Sequence, residues 1–265
     1  MSGVRPGTAL LTLASAGTTA LAVRAAMGHP PSLATTLAVG GACMSVVAAG
    51  SMVPRLAMWG PIVNDAPGAK GVALGFDDGP HPVHTRRVAE ILAEHGVSAT
   101  FFAIGEKVIK NAEVIRELAA TGHEVGVHGF KIDRYLGFRG KKAVTEDLKR
   151  ARDVIGDLLG TPPLLFRPPY GVTNPTIAKV CDELELTIIG WNVRALDGVA
   201  RTTAADVERR MLGGLKDGAI GCLHDAPEVG ERVPVVIEAL PKILAALAAK
   251  GLAVKPVGDL LDERI

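Results

Sequence analysis

The chain has 265 residues, 48% of them apolar and 22% charged, which suits one sizeable core plus an appendage and excludes a disulfide mini-protein, a collagen or a disordered tail. Its 29 basic and 28 acidic side chains leave a formal net charge of +1, so the strongly basic surface that nucleic acid demands is missing. The three cysteines, Cys43, Cys181 and Cys222, form no CxxC pair and signal neither a disulfide framework nor a zinc finger.

In chain order, residues 1–63 contain three arginines (Arg5, Arg24, Arg55), no lysine and no acid, the first carboxylate being Asp65. Residues 33–53 are uncharged and, at about 1.5 Å per residue, reach roughly 30 Å as a helix, the thickness of a hydrocarbon core. An earlier run, 8–23, fits a short first span, an interfacial helix or the apolar part of a signal peptide. His29, Pro30 and Pro31 predict a turn between the two runs. A region of one or two membrane spans over 1–63 is therefore expected, then a breaker-rich linker at 64–70 and a globular domain over 71–265.

From residue 71 short apolar runs alternate with amphipathic stretches. Strands are predicted at 71–76, 99–104, 124–127, 164–166, 187–191, 219–223 and 252–254. Helices are predicted at 85–95, 111–121, 175–184, 204–215 and 233–250. Val144, Leu148, Ala151, Ile155 and Leu158 mark the apolar face of a further long helix closed by Gly160. Sustained βα alternation argues a parallel sheet with helices outside it, and about seven strands suit a small barrel better than an open sheet. In such a fold the polar residues at strand ends collect in one mouth.

Five predicted strand ends carry ionisable groups. Phe76 leads into Asp77 and Asp78, then the Gly79-Pro80 turn; Val127 leads into His128, Phe166 into Arg167, and Leu223 into His224 and Asp225; Asp197 follows Trp191 by six residues. Adjacent carboxylates repel one another. The repulsion is tolerable if a divalent cation takes one while the other accepts a proton, a division suited to metal-assisted hydrolysis. His81 and His84 read as a solvated helix start with Thr85 as the N-cap, His123 as structural, and Trp191 either as a sugar platform or as barrel filler.

Together, Gly75-Phe76-Asp77-Asp78-Gly79-Pro80, His123-Glu124-Val125-Gly126-Val127-His128, Phe166-Arg167-Pro168-Pro169-Tyr170-Gly171 and Leu223-His224-Asp225 resemble the polysaccharide deacetylases, the NodB-homology or carbohydrate esterase family 4 group, over roughly residues 70–258. The resemblance implies an α/β fold, a distorted (β/α)7 barrel, here preceded by a helical membrane-anchor region. Its mouth would bind zinc, with cobalt or nickel as alternatives, and remove an acyl group from an amino sugar. By resemblance, Asp77 is the general base, Asp78 and His128 are metal ligands, and Arg167 orients the base. The backbone N–H of Tyr170 helps stabilise the oxyanion, His224 protonates the leaving amine, and Asp197 keeps that histidine charged. The expected partners are a glycan or lipid-linked amino sugar and the membrane, and the expected location is the cell membrane with the catalytic domain outside the cytoplasm.

Departures from the pattern carry their own expectations. Ile132 stands four residues after His128, where the family has a second metal histidine, and it cannot ligate. Asp133 is the nearest substitute ligand, although on a regular helix its i+5 placement points about 140° away and would need an irregular turn. Gly75 replaces a threonine, Gly198 a tryptophan, and Arg194 an acid. These changes reshape the groove and leave open a second reading, a catalytically impaired barrel that binds glycan or protein, and a third, a membrane module whose function lies in the first 60 residues.

Overall fold

The computed structural model describes residues 6–133, 135–228 and 230–263. Two helices, α1 (Pro6–Ala26) and α2 (Leu33–Met52), form an antiparallel pair joined where a turn is expected. The Ser32 side chain caps α2 by accepting the Thr35 N–H at 3.2 Å. Both are long and apolar enough to cross a membrane, and the only buried residues in them are Gly7 and Gly50, near the ends that meet the rest of the chain. There Gly7 packs on Leu56 and Met58, and Gly50 on Met58.

The remainder runs β1 (Val72–Asp77), α3 (His84–Glu94), β2 (Thr100–Ala103), α4 (Gly105–Lys110), α5 (Ala112–Ala120), β3 (Glu124–Val127), α6 (Gly140–Leu159), β4 (Leu165–Phe166), α7 (Pro175–Glu183), β5 (Thr187–Ile188), β6 (Val193–Arg194), α8 (Ala204–Gly214), β7 (Ala219–His224), α9 (Val236–Ala249), β8 (Val254–Lys255) and α10 (Val257–Asp262). Every strand pair is parallel, in the order β5-β4-β3-β2-β1-β7-β6, with β8 beside the first residues of β1. This is a parallel half-barrel with helices around it, as the alternation predicts, and it fits the distorted (β/α)7 barrel that the resemblance implies. The short elements α4, β6 and α10 escape the sequence pattern, because six residues or fewer carry too little periodicity to read.

Strand alternation separates two apolar layers. Val72, Leu74 and Phe76 of β1 face outward with Phe101, Val127 and Phe166 into the helices, while Ala73, Phe102, Leu165, Ile189 and Ile220 face inward. Val257 and Leu260 of α10 pack under that inner layer and close the bottom of the barrel. Each such fully buried aliphatic side chain contributes roughly 1.5–3 kcal/mol.

The sheet leaves a seam between β5 and β6, and the stretch expected as a linker runs into it. Val63 N–H donates to the Ile188 carbonyl at 2.9 Å, Gly190 N–H to Val63 at 2.8 Å, and Ala66 N–H to Gly218 at 2.7 Å. The breakers around it give irregular backbone with enough main-chain groups to pair both lips of the opening.

Candidate active site

The inner face of the strands carries Thr100 and Glu124 at its N-terminal end, bonded to each other and to the start of α10, and gathers a larger ionisable cluster at its C-terminal end. Arg167, just beyond β4, is fully buried, with its guanidinium 4.1 Å from the Phe102 ring centre and Nη1 2.9 Å from Asp77 Oδ1. Its Nη2 donates to the Gly190 carbonyl at 3.3 Å. A side chain at position 75 would put its Cβ 2.4 Å from Nη1, so Gly75 is the space in which this guanidinium lies. Arg167 and Asp77 are thereby held together, and the threonine-to-glycine departure acquires a packing reason.

Asp78 adopts a left-handed backbone (φ 74), tolerable for an aspartate, and Gly79 follows because a Cβ there would lie 2.2 Å from Asp225 Oδ2. The two neighbouring acids are thus divided: Asp77 bonds Arg167, and Asp78 Oδ1 comes 3.5 Å from His128 Nε2. His128 Nδ1 lies 2.7 Å from the Arg167 carbonyl, which can only accept, so Nδ1 donates and Nε2 is the ring nitrogen turned toward Asp78. Burial pushes the Asp78 carboxyl up, but the His128 hydrogen bond and charge, with His224 and Lys107, carry it below its ordinary value. A carboxylate oxygen and an imidazole nitrogen 3.5 Å apart in the cavity lining are donor types that would hold a zinc-like cation.

A second group, Asp77, Cys222 and His224, brings one donor atom each within 4.8 Å of the others. Burial, and then the Asp77 charge, push the Cys222 thiol well above its ordinary value, so it is an S–H that donates to Asp77 Oδ2 at 3.5 Å. With Arg167 on the other oxygen, both Asp77 carboxylate oxygens are engaged.

His224 closes the opposite side. Its Nδ1 lies 2.8 Å from Asp197 Oδ1 and its backbone N–H donates to Asp197 Oδ2 at 2.8 Å. Burial alone would lower the histidine pKa, but the Asp197 charge and hydrogen bond, helped by Asp77 and Asp78, raise it to about 9. The ring is therefore an imidazolium at neutral pH, able to give a proton away.

Asp77, Asp78, His128, Asp197, Cys222 and His224 line one cavity of about 560 Å3, with Tyr170 and Trp191 in its wall and Arg167 buried behind Asp77. Tyr170 sits in a left-handed conformation (φ 58) inside a short 3-10 turn, and its hydroxyl bonds Glu228 across the opening. Ile132 lines the same cavity, while Asp133 is engaged elsewhere: Oδ2 pairs with Arg139 Nε at 2.7 Å and Oδ1 accepts the Tyr135 N–H at 2.9 Å. The segment after His128 is a loop opened by Gly129 (φ 98), not the helix that the i+4 and i+5 directions assume.

Other expectations are corrected. Thr85 is not the N-cap of α3; its hydroxyl accepts the His81 N–H and bonds buried Asp225. The N-terminal N–H groups of Val83 and His84 are instead met by His81 Nδ1. His123 is structural, accepting the Ala99 N–H beneath Phe101. Lys107, which gives no signal in the sequence because it lies within a helix too short to read, donates to the carbonyls of Asp78 and Pro227 at 2.7 and 2.8 Å and so ties the acid pair to the β7–α9 loop.

A profile of polysaccharide deacetylase matches residues 64–189. The chain is 32% identical over 205 residues to the peptidoglycan-N-acetylglucosamine deacetylase PgdA of Listeria monocytogenes, covering 77% of this chain but only 42% of the relative. It is 30% identical over 204 residues to the chitooligosaccharide deacetylase of a Bradyrhizobium species, covering 74% of this chain and 93% of that one. Among solved structures, the Bc1960 peptidoglycan N-acetylglucosamine deacetylase superposes with a TM-score of 0.70 at 27% identity, over 76% of this chain and 92% of the other. A variant of Bacillus anthracis BA3943, described as a CE4 family pseudoenzyme with restored enzymatic activity, superposes at 0.69 and 26% identity, over 78% and 74%. On the fold, the mouth geometry and these similarities, the chain belongs to the polysaccharide deacetylase (carbohydrate esterase 4) family.

Proposed function

We propose that the protein is a metal-dependent hydrolase that removes the acetyl or another acyl group from an amino sugar of the cell envelope, whether polymeric or lipid-linked. We further propose that it works at the cell membrane with the barrel outside the cytoplasm. The observation that carries this reading is the partition of the acid pair, Asp77 to Arg167 and Asp78 to His128, opposite an imidazolium at His224. Asp78 and His128 would hold the cation, and what the cation supplies is Lewis acidity toward the water and the amide oxygen.

Each remaining role belongs to a residue of this chain. Asp77, fixed by Arg167 on one oxygen, presents the other region of its carboxylate to take the proton of the attacking water. The Tyr170 turn forms the wall where charge develops on the amide oxygen. His224, charged because of Asp197, gives its proton to the departing amine and so prevents collapse back to the amide. The balance is one water consumed, the C–N bond broken, and a carboxylic acid and a free amine released.

Acetate release from N-acetylglucosamine oligomers by the full chain with added zinc or cobalt tests the reading. Hydrolysis that falls at least about 10³-fold in Asp77→Asn is expected, and inactivity with every metal and glycan would overturn it. Ile132 favours a second reading, a barrel that binds without turnover, and the pseudoenzyme neighbour gives that reading a parallel. A calorimetric titration giving one tight zinc site that Asp78→Ala removes would exclude its metal-free form.

A further inference from the structure

The barrel mouth and the apolar hairpin meet on one side of the molecule. The last turn of α2 is fixed to the β4–α7 connection, the Ser51 carbonyl accepting the Thr173 N–H at 2.9 Å and the Ser51 hydroxyl accepting the Trp59 indole N–H at 3.2 Å. Gly171, next to Tyr170 of the cavity wall, packs on both Pro54 and Trp191. The helices therefore leave the barrel from the rim of the cavity. Beyond Gly7 and Gly50 nothing in them is buried, so their apolar length extends away from the barrel.

The same rim carries exposed apolar side chains. Outside residues 6–53, Val83, Ile109, Tyr135, Phe138, Val199 and Val233 are large and exposed, and all lie in segments that leave the C-terminal ends of strands. Leu164 is the one such side chain at the opposite end among the described residues. Phe138 is 78% exposed, and neighbouring Gly137 packs on Asn174, one residue from the Thr173 that holds α2. Scattered apolar residues need no explanation, but a set gathered around the mouth and continuous with two span-length helices is the surface of a protein resting on a bilayer.

The cavity also holds two cations that the acid–base machinery does not use. Arg194, where the family pattern has an acid, lies with its guanidinium 5.5 Å from the Trp191 ring centre, and Arg232 donates to the Ala200 carbonyl at 3.3 Å. Two guanidinium groups in the lining of the mouth match a phosphate ester.

From this juxtaposition we infer that the mouth faces the membrane and that the substrate is an N-acylated amino sugar joined through phosphate to a membrane lipid. Arg194 and Arg232 would meet the phosphate, and the rim would meet the acyl-chain boundary. The inference rests on the deacylase reading above and narrows its substrate class. A water-soluble polymer would have to enter between the rim and the bilayer, whereas a lipid carrier delivers its sugar at the height of the cavity.

The full chain in lipid nanodiscs with zinc would be given N-acetylglucosamine linked by phosphate to a polyprenol in the same bilayer, or N-acetylglucosamine oligomers in solution. A kcat/KM ratio of at least about tenfold in favour of the lipid is expected, and Arg194→Gln and Arg232→Gln should each reduce that ratio by about tenfold, mainly through KM. Binding of the lipid to Asp77→Asn, which has lost its base, gives a readout without turnover and should weaken in the same arginine variants. A fluorophore on Phe138→Cys should be quenched by nitroxide-labelled lipids near the headgroup boundary. Equal or better turnover of soluble oligomers with indifferent arginine variants would overturn the inference and leave the deacylase reading intact. Tight lipid binding without hydrolysis of any substrate would overturn the deacylase reading and leave the ligand class standing. An unquenched probe, or a cysteine cross-linked to a second copy, would overturn the membrane-facing mouth.

Discussion

The two halves of the site are furnished very differently. On the acid–base side every functional group is held twice: Asp77 by Arg167 and Cys222, and His224 by both oxygens of Asp197. On the side proposed to hold the metal, Asp78 and His128 face each other, with Ile132 in the cavity wall at the position where the family pattern has a second histidine. Proton transfer demands fixed orientation, which buried hydrogen bonds supply, while affinity for a cation grows with each ligand the chain contributes. The architecture therefore predicts well-positioned chemistry limited by weak metal retention.

Breaking the well-furnished half gives the largest effect. Arg167→Ala would leave Asp77 as a buried charge without its cation and open a void against Phe102. A loss of about 3–5 kcal/mol in folding stability, read by urea denaturation, should accompany near-complete loss of hydrolysis. If stability fell by less than about 1 kcal/mol, the pair would be no stronger than a surface bridge and the contrast would fail.

Repairing the poor half is the next largest. Ile132→His adds a donor to a cavity wall already beside His128. Zinc affinity measured by calorimetry should rise about 100-fold, in line with each ligand's share of a structural zinc site. Unchanged affinity would mean that some group other than Asp78 and His128 controls the metal.

Much of this contrast is legible in the residues. The βα alternation places the strands because apolar runs and amphipathic stretches follow one another from residue 71 onward, and the carboxylates, histidines and arginine stand at strand ends. Spacing alone does not reveal that 128–133 is a loop, since Gly129 breaks the helical geometry that the expected directions of Ile132 and Asp133 assume. Nor does it reveal that Gly75 makes room for a guanidinium contributed from 92 residues further along, a contact between two strands that are not neighbours. The seam filled by Val63 and Ala66 is hidden for a similar reason, as breaker-rich backbone pairs through main-chain groups that every residue shares.

A smaller effect separates charge from orientation at His224. Because its folded pKa is raised from about 6.5 to about 9, the imidazolium stabilises the fold fully below about pH 6.5, and that contribution is lost as pH rises through about 9. Asp197→Asn keeps an acceptor beside Nδ1 but removes the charge, so burial should dominate and the alkaline limb of kcat/KM should move down from about 9 toward neutrality. The fall in melting temperature between about pH 6 and about pH 9.5 should flatten in the same variant. A limb left near 9 would make the role of Asp197 purely structural.

The smallest expected effect tests whether the metal side is as poor as it looks. Asp133 is the acid nearest to the missing donor in sequence, yet Arg139 and the Tyr135 N–H already engage its two oxygens. To reach the ion it would have to give up a charge pair and a turn-forming hydrogen bond together. Zinc affinity in Asp133→Ala should therefore stay within about twofold of the parent, a difference of about 0.4 kcal/mol. A tenfold drop would mean that the loop rearranges when metal arrives and that the chain supplies a third ligand after all.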